Sequence, residues 1–202
     1  MKLLVTGGSG YLGNGILACA PGDWQIVATY LTQPISSGRV AAICLDVRDE
    51  RAVGRLVADF SPDVIIHTAA LMRGAGLIAA NADGTCHLAR AAERIRARLV
   101  HLSSDVIFDG EHAPYGESAR PAPISAYAVS KALAETAVQA ECSNAVIVRT
   151  SLIYGLAPLD SRTRQTLAGG MPLLFTDEFR CPILREDLVD AGSLRLRERV
   201  GR

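Results

Sequence analysis

Short runs of apolar residues alternate along the chain with longer segments in which apolar residues recur at helical spacing. The short runs predict six β-strands: Lys2–Thr6, Gln25–Tyr30, Arg39–Leu45, Asp63–His67, Arg98–Ser103 and Ala145–Arg149. The longer segments predict helices at Gly10–Cys19, Asp49–Phe60, Asn81–Arg96 and Ala126–Glu141. The strands are apolar almost throughout, which is typical of strands that are covered on both faces.

This alternation predicts an α/β fold, a Rossmann doubly wound parallel sheet. The pattern becomes irregular after Tyr154-Gly155, so we expect one domain over residues 1–155 and a second, smaller region over residues 156–202. That region contains an Asp187–Arg195 helix pattern and ends in a basic segment that resembles a frayed helix end. The loop from Asp105 to Ser125 is long, and such loops are usually functional or mobile.

Composition narrows the range of functions. Hydrophobic residues make up 49% of the chain, and Lys+Arg and Asp+Glu both number 21, so the net charge is zero. This balance argues against a general nucleic-acid or membrane-surface binder, and no apolar run is long enough to span a membrane. The five cysteines have neither disulfide nor metal spacing, and the N-terminal apolar run is too short for a signal peptide. We therefore expect a cytoplasmic protein with buried reduced thiols and no metal site.

A glycine-rich turn links the first predicted strand to the first predicted helix. Residues 6–13 read Thr-Gly-Gly-Ser-Gly-Tyr-Leu-Gly. Glycines at positions 7, 10 and 13 permit a tight turn and the close approach of a pyrophosphate, to which the N-terminus of a helix offers N–H groups and a positive dipole end. The alternative is a glycine-rich turn without a ligand.

The end of the second strand bears on the choice of cofactor. Dinucleotide folds often carry an acid there, which binds the ribose 2′-hydroxyl. This strand ends Ala28-Thr29-Tyr30-Leu31-Thr32 without an acid, which leaves room for a 2′-phosphate, and the nearest arginine is Arg39. We therefore expect NADP, with NAD also compatible. Asp46 and Val47, after the third strand, are expected to border the adenine; the alternative for Asp46 is a helix N-cap or a turn residue.

Tyr127 and Lys131 lie four residues apart on a predicted helix and therefore on one face. An ammonium near a phenol favours the phenolate, so this pair predicts a tyrosine of lowered pKa that exchanges a proton near neutral pH. The alternative is an ordinary solvated face. Ser103 and Ser104 end the fifth strand, at the edge where open α/β sheets bind ligands; their alternative is a strand-end cap.

Together these motifs resemble the extended short-chain dehydrogenase/reductases. The matching segments are Thr6–Gly13, Leu45–Val47, His67–Ala70, Asn81, Ser103–Gly110, Tyr127–Lys131 and Arg149–Gly155. Within that superfamily the chain is most similar to the dTDP-4-dehydrorhamnose reductase group, through Ser103–Gly110, Arg149–Gly155, Phe175–Ile183 and the pair Asp187-Leu188.

The resemblance implies a nicotinamide-dependent reductase of a 4-keto nucleotide sugar. It also implies that residues 1–155 form the dinucleotide-binding domain and residues 156–202 an abbreviated substrate-binding region. It implies that Tyr127 is the proton donor, that Lys131 lowers the tyrosine pKa and holds the ribose, and that Ser104 is the catalytic Ser or Thr. Asn81 would support a water near the lysine, with a helix N-terminal cap as its alternative. The implied cofactor contacts are Gly7, Gly10, Tyr11, Leu12, Gly13, Asp46, Val47, Ala69, Ala70, Asn81, Tyr127 and Lys131.

Two other functions stay open. Dehydratases of this fold carry Asp-Glu after the catalytic Ser or Thr, whereas here the pair is Asp105-Val106, which favours reduction over dehydration. Sugar-nucleotide epimerisation needs no extra acid. A cofactor-binding regulatory subunit without turnover, as in the methionine adenosyltransferase branch of the family, is favoured by a chain shorter than its relatives. A homodimer is compatible with either function. His67, His87, His101 and His112 are expected to have core or surface roles.

Overall fold

The computed structural model describes residues 1–36, 38–170 and 180–190. The chain divides into two compact units, Met1–Arg149 and Thr150–Arg202. Within the described ranges, no helix is both long and apolar enough to cross a membrane.

A six-stranded sheet forms the centre of the first unit. Its strands are β1 (Lys2–Thr6), β2 (Gln25–Tyr30), β3 (Ala41–Cys44), β4 (Val64–His67), β5 (Arg98–Ser104) and β6 (Ala145–Thr150). Their order across the sheet is β3-β2-β1-β4-β5-β6, and the pairs β3–β2, β2–β1, β1–β4 and β4–β5 run parallel. This order reverses direction between β1 and β4, and ligands of open α/β sheets bind at such a switch point, beyond the carboxyl ends of the strands. The predicted Rossmann fold is confirmed.

Four helices of this unit lie between the strands. They are α1 (Tyr11–Cys19), α2 (Glu50–Phe60), α3 (Gly84–Ile95) and α4 (Ala126–Glu141). A π-helical turn, Ala79–Asp83, leads directly into α3, and a 3₁₀ turn, Asp105–Ile107, follows β5. Side-chain caps set two of the starts, because Asp49 accepts the Ala52 N–H at 2.9 Å and Ser125 accepts the Ala128 N–H at 3.2 Å.

The hydrophobic core fills the space between the sheet and three of these helices. Helix α3 packs against both α2 and α4, and Leu4, Ile65 and Leu99 of the central strands join Val53 and Leu88 in one buried cluster. Helix α1 lies against the opposite face, where its Leu17 adjoins Ala28 of β2. Helices on both faces make the sheet doubly wound, as predicted.

Burial follows each strand's place in the sheet rather than its apolar content. The central strand β4 is buried throughout, and β1 is buried beyond its first residue. In contrast, β3 is mostly exposed and β6 only half-buried, because each lies at an edge. The prediction that all six strands are covered on both faces is therefore wrong for the edge strands, and in β5 only every second residue is fully buried.

The cysteines also differ from expectation. All five are free thiols, but only Cys142 is buried; Cys86 is half-buried, and Cys19, Cys44 and Cys181 are exposed. The prediction of buried thiols is wrong for those three. Cys19 lies at the end of a surface helix and Cys44 on the edge strand β3, so neither position is covered.

In the second unit, β7 (Ile153–Tyr154) pairs in parallel with β8 (Ile183–Leu184). Between them lies α5 (Ser161–Leu167), which Asp160 caps by accepting the Thr163 N–H at 3.0 Å. Residues 185–190 are helical. Three parts of the sequence analysis lie outside the described residues. They are residues 175–179 of the motif segment Phe175–Ile183, residues 191–195 of the Asp187–Arg195 helix pattern, and the basic C-terminal segment. The division of function at residue 155 stays a prediction.

Candidate active site

The glycine turn after β1 is packed tightly enough to require glycine at two positions. Gly7 has φ +73°, and a Cβ there would lie 2.7 Å from the Ala69 nitrogen; a Cβ on Gly13 would lie 2.3 Å from the Gly7 oxygen. The turn therefore lies directly against the end of β4. Gly10, the N-cap of α1, has no side chain to obstruct an anion at the helix N-terminus. This geometry fits the pyrophosphate of a dinucleotide.

The residues that follow β3 form a turn. Asp46 accepts the Arg48 N–H at 3.0 Å and pairs with its guanidinium, whose hydrogen bond holds the pKa of the carboxyl below its usual value. Asp49, and not Asp46, caps α2. Val47 is buried beneath Gly84, where a Cβ would approach its side chain to 2.7 Å. Of the two alternatives for Asp46, the turn is present and the N-cap is wrong; the adenine contact stays a prediction.

Asn81 connects three parts of the first unit. It lies in the π-helical turn and is 1% exposed. Its amide accepts the Leu71 N–H and donates to the Leu71 carbonyl, both at 2.8 Å, and donates to Ser130 Oγ on α4 at 2.9 Å. Ser130 in turn donates to the Tyr127 carbonyl at 2.7 Å. The N-cap alternative is wrong, because the amide instead ties the loop after β4 to the turn of α4 that carries Tyr127.

Lys131 is 3% exposed, so the solvated-face alternative is wrong for this residue. Its ammonium donates to the Leu102 carbonyl at 2.6 Å and lies 3.3 Å from His101 Nε2. Burial lowers its pKa to about 8, and the nearby Glu135 opposes that shift. The lysine is thus attached to β5 two residues before Ser104.

The pKa of Tyr127 departs from the sequence-based prediction. It is raised, first by burial of the phenol and second by the negative charge of Asp105. The prediction of a lowered pKa is therefore wrong for the ligand-free protein. In the described part of the chain, no hydrogen bond joins the side chains of Ser104, Tyr127 and Lys131 to one another, because the ammonium is engaged by β5 instead.

The two serines at the end of β5 differ. Ser104 is half-buried and caps the 3₁₀ turn by accepting the Val106 N–H at 3.4 Å, a long bond. Ser103 is 5% exposed, and its hydroxyl has no hydrogen-bond partner among the described residues. The strand-end cap alternative therefore describes Ser104 in the ligand-free protein, through a contact weak enough to be exchanged for a substrate.

A salt bridge that the sequence analysis did not single out holds the loop after β5. Arg149 of β6 pairs with Glu135 of α4 at 2.8 Å; the glutamate side chain is 2% exposed. The same guanidinium donates to the carbonyls of Glu117 and Ala119 and lies over the ring of Phe108. Glu135 lies four residues after Lys131, and this spacing was the available signal for it.

Replacing Arg149 with Met should destabilise the first unit by roughly 3 kcal/mol or more, because Glu135 would keep a buried charge without its cation. Arg90→Met is the matched control. Arg90 pairs with Glu141 on the surface, where solvent screens the two charges, so Arg90→Met should change the free energy of unfolding far less. Urea unfolding measures both. Faster hydrogen exchange at residues 108–120 in Arg149→Met alone is expected, and equal exchange in the two variants would contradict the role of Arg149 in the loop.

Arg39, the arginine that follows the end of β2 in the sequence, contacts the end of α1. Its guanidinium donates to the carbonyls of Ala20 at 2.6 Å and Pro21 at 2.9 Å, where it stabilises the C-terminal end of α1. Thr29 is 1% exposed and Tyr30 is half-buried. Of the two positions at which an introduced acid could act on a cofactor, only Tyr30 is open enough to accept a charge.

Most of the residues predicted for the site therefore meet at one edge of the sheet. The glycine turn, Ala69, Asn81 and the α4 residues all lie in the first unit, at or beyond the carboxyl ends of β1, β4 and β5. Asp46 and Val47 follow β3, farther along the same edge. Their roles in catalysis and binding stay predictions.

Comparison with known proteins adds family evidence. A family model described as the RmlD substrate binding domain matches residues 1–191. Methionine adenosyltransferase 2 subunit beta of Xenopus laevis is 33% identical over 164 residues, which cover 76% of this chain and 47% of that protein. The dTDP-4-dehydrorhamnose reductase of Mycobacterium tuberculosis is 33% identical over 165 residues, which cover 76% of this chain and 50% of that protein.

Two solved structures are similar to this chain along most of its length. A hypothetical dTDP-4-dehydrorhamnose reductase from Sulfolobus tokodaii superimposes with a TM-score of 0.85 at 29% identity, covering 98% of this chain and 73% of that one. The Bacillus anthracis dTDP-4-dehydrorhamnose reductase, in complex with NADP, gives 0.78 at 25% identity, covering 97% and 70%. The chain spans about half the length of the curated relatives it matches.

Proposed function

Because the chain belongs to the RmlD substrate binding domain family, we propose that it is a reductase that uses NADPH to reduce the 4-keto group of a nucleotide sugar. The observation that carries this proposal is the attachment of Lys131 to the Leu102 carbonyl at 2.6 Å. That contact brings the helix turn of Tyr127 and Lys131 to the end of β5, where Ser104 lies. A hydroxyl, a phenol and an ammonium at a switch-point edge are the groups needed to protonate a ketone oxygen.

The residues present fit a dinucleotide. The tight turn at Gly7 and Gly13 and the open N-terminus of α1 would hold the pyrophosphate, and Lys131 would hold the ribose. When bound, NADPH supplies the hydride that reduces the ketone carbon. The Bacillus anthracis dTDP-4-dehydrorhamnose reductase supports this choice, because its structure is a complex with NADP.

The protein's own part in the reaction is proton delivery. Burial and Asp105 raise the pKa of Tyr127, so the phenol carries its proton at neutral pH and can act as an acid. Ser104 would donate a hydrogen bond to the same oxygen after its hydroxyl leaves the long contact, 3.3 Å, that it donates to Asp105 Oδ1. The ammonium of Lys131 would then stabilise the phenolate that forms. The raised pKa ensures that the phenol holds its proton at neutral pH, and a cation beside it in the complex would bring its pKa down toward the working pH, where proton transfer is most efficient.

A second candidate function is a cofactor-binding regulatory subunit without turnover. It is favoured by the similarity to methionine adenosyltransferase 2 subunit beta, which matches at the same 33% identity as the mycobacterial reductase. Both functions require cofactor binding, so only turnover separates them.

The test measures oxidation of NADPH by its absorbance in the presence of a dTDP-4-keto-6-deoxy sugar. We expect turnover by the wild-type chain and little by Tyr127→Phe. If NADPH binds but the wild type consumes it no faster than Tyr127→Phe does, the reductase proposal fails and the regulatory subunit is the better conclusion. An epimerase would instead interconvert sugar stereoisomers without net oxidation of NADPH.

Cofactor preference gives a further prediction at Tyr30. Tyr30→Asp should weaken NADPH binding about tenfold or more through repulsion of the 2′-phosphate, and should leave NADH binding unchanged or tighter. Tyr30→Asn is the uncharged control and should affect both cofactors equally. Fluorescence titration with each cofactor measures the change. A wild type that prefers NADH would contradict the choice of NADP.

A further inference from the structure

A row of buried polar side chains crosses the sheet beneath the candidate site. Thr6, His67 and His101 occupy paired register positions on β1, β4 and β5, with Thr6 opposite His67 and His67 opposite His101. Each is at most 1% exposed. They follow Leu4, Ile65 and Leu99 by two residues, so they face the same helices as the hydrophobic core. Apolar side chains at these positions would need no hydrogen bonds, whereas burying a polar side chain is unfavourable unless it is hydrogen-bonded. The hydrogen bonds of Thr6, His67 and His101 therefore need an explanation.

The hydrogen bonds fix the proton on His67. Thr85 Oγ1 donates to the Asn81 carbonyl at 2.6 Å, so its oxygen accepts from His67 Nε2 at 2.9 Å, and Nε2 carries the ring proton. His67 Nδ1 then accepts from the Thr6 hydroxyl at 2.6 Å. Burial, with the nearby Lys131 charge, lowers the His67 pKa to about 3, so the ring stays neutral.

His101 has the opposite arrangement. The Lys131 ammonium can only donate, so His101 Nε2, 3.3 Å away, accepts and the proton lies on Nδ1. That Nδ1 has no hydrogen-bond partner among the residues that the structure describes. The His101 pKa lies well below its usual value because of burial first, then the charges of Lys131 and His67. The imidazole is therefore kept as a neutral acceptor directed at the ammonium.

We propose that His101 is a positioning residue for Lys131, and that its Nε2 and the Leu102 carbonyl together hold the ammonium on β5. Two of the three ammonium donors are then directed at the strand, which leaves one for a ligand of the site. The role given to Lys131 rests on the proposed function, whereas the contact between Lys131 and His101 does not. The ammonium lies among ionisable groups of the strands and the helix around it. These groups are His101 on β5, His67 on β4, Tyr127 and Glu135 on α4, Asp105 beside Tyr127, and Arg149 of β6 beyond Glu135.

The composition of the chain makes the contact directly measurable. Lys2 and Lys131 are its two lysines, and it has four histidines. Lysine labelled with ¹³C at Cε gives two NMR signals in the ligand-free protein, and Lys2 serves as the internal reference. In the wild type we expect Lys131 to titrate near pH 8. His101→Leu removes the acceptor and should lower that midpoint by about one pH unit, a tenfold change in acid dissociation. His101→Gln retains an acceptor and should restore most of it.

The control is His112→Gln, since the His112 side chain is 80% exposed and should leave the Lys131 midpoint unchanged. Nitrogen-15 NMR of the wild type supplies a measurement that needs no variant to fold. It should show the proton on Nδ1 of His101 and on Nε2 of His67, with neither ring titrating near pH 6.5. A His101 proton on Nε2, or an unshifted Lys131 midpoint in folded His101→Leu, overturns the positioning role.

NADPH titration separates this proposal from the proposed function. If the NMR results are as expected and His101→Leu binds NADPH about tenfold more weakly than His101→Gln, the contact serves the cofactor. If the wild type shows the expected NMR behaviour and binds no nicotinamide cofactor, the reductase proposal fails and the positioning of Lys131 by His101 stands. If the wild type and His101→Leu both bind NADPH, with equal affinity at every pH, and the Lys131 midpoint is the same in the two proteins, the positioning role is wrong and the reductase proposal is unaffected.

Discussion

Tyr127→Phe should lower kcat by about 10²–10⁴-fold, because it removes the proton donor and retains the ring. The phenol is protonated at neutral pH, since burial and Asp105 raise its pKa, so the wild type should show no loss of activity from phenol ionisation near neutral pH. NADPH affinity should change little, because the hydroxyl is one contact among many. Steady-state kinetics and a separate NADPH titration measure the two effects.

A second variant and a stability measurement test whether Tyr127 is the proton donor. Ser104→Ala should lower kcat by a smaller factor, because it removes one hydrogen bond to the reacting oxygen and leaves the acid in place. The melting temperature of Tyr127→Phe should match the wild type, which excludes unfolding as the cause. A variant that keeps wild-type kcat would show that the proton comes from another group.

Lys131→Met should impair both cofactor binding and catalysis, so it should raise the dissociation constant for NADPH and lower kcat. The lysine would lose its ribose contact and no longer stabilise the phenolate. Because the wild-type pKa is lowered to about 8, the ammonium is present below that pH and is lost above it. NADPH binding by the wild type should therefore weaken as pH rises through about 8, while Lys131→Met should lack that transition.

Stability should show the opposite pH dependence, which provides the control. Between about pH 8 and the usual lysine value of 10.5, the unfolded chain holds a proton on Lys131 that the folded chain has released. More protons bound in the unfolded state means that this residue's contribution to the free energy of unfolding rises with pH over that range. The stability of the wild type relative to Lys131→Met should rise accordingly. A flat difference would show that the lysine is not buried in its charged form.

Local signals were sufficient for much of the fold. Helix α4 has the predicted bounds, because Ser125 caps it and its sequence lacks glycine and proline. The glycine turn was predictable because Gly7 adopts a positive φ and Gly13 contacts the Gly7 oxygen, neither of which tolerates a Cβ. The edge strands were harder, since β3 is apolar yet exposed, and strand order is not encoded in one segment.

The site depended on long-range contacts that spacing does not reveal. The four-residue separation placed Tyr127 and Lys131 on one face, but the attachment of the ammonium to Leu102 comes from a strand 29 residues earlier. The tyrosine pKa is raised rather than lowered because the phenol is buried and Asp105 lies near it, and the four-residue spacing encodes neither of these. Likewise, the neutral state of His101 depends on burial between β5 and α4, which no local pattern indicates.

The π-helical turn at Ala79–Asp83 sets the helical phase of Asn81. Such a turn holds one residue more than the α-helical turn it replaces, and each residue of a regular helix advances about 100° around its axis. Deleting one residue from this turn would leave a regular helix. The deletion would rotate the residues before it by more than a quarter of a revolution relative to α3. The amide of Asn81 would then turn away from Leu71 and Ser130. Homologous chains that keep this bridge must therefore keep the number of residues in the turn, even where the residues themselves are exchanged.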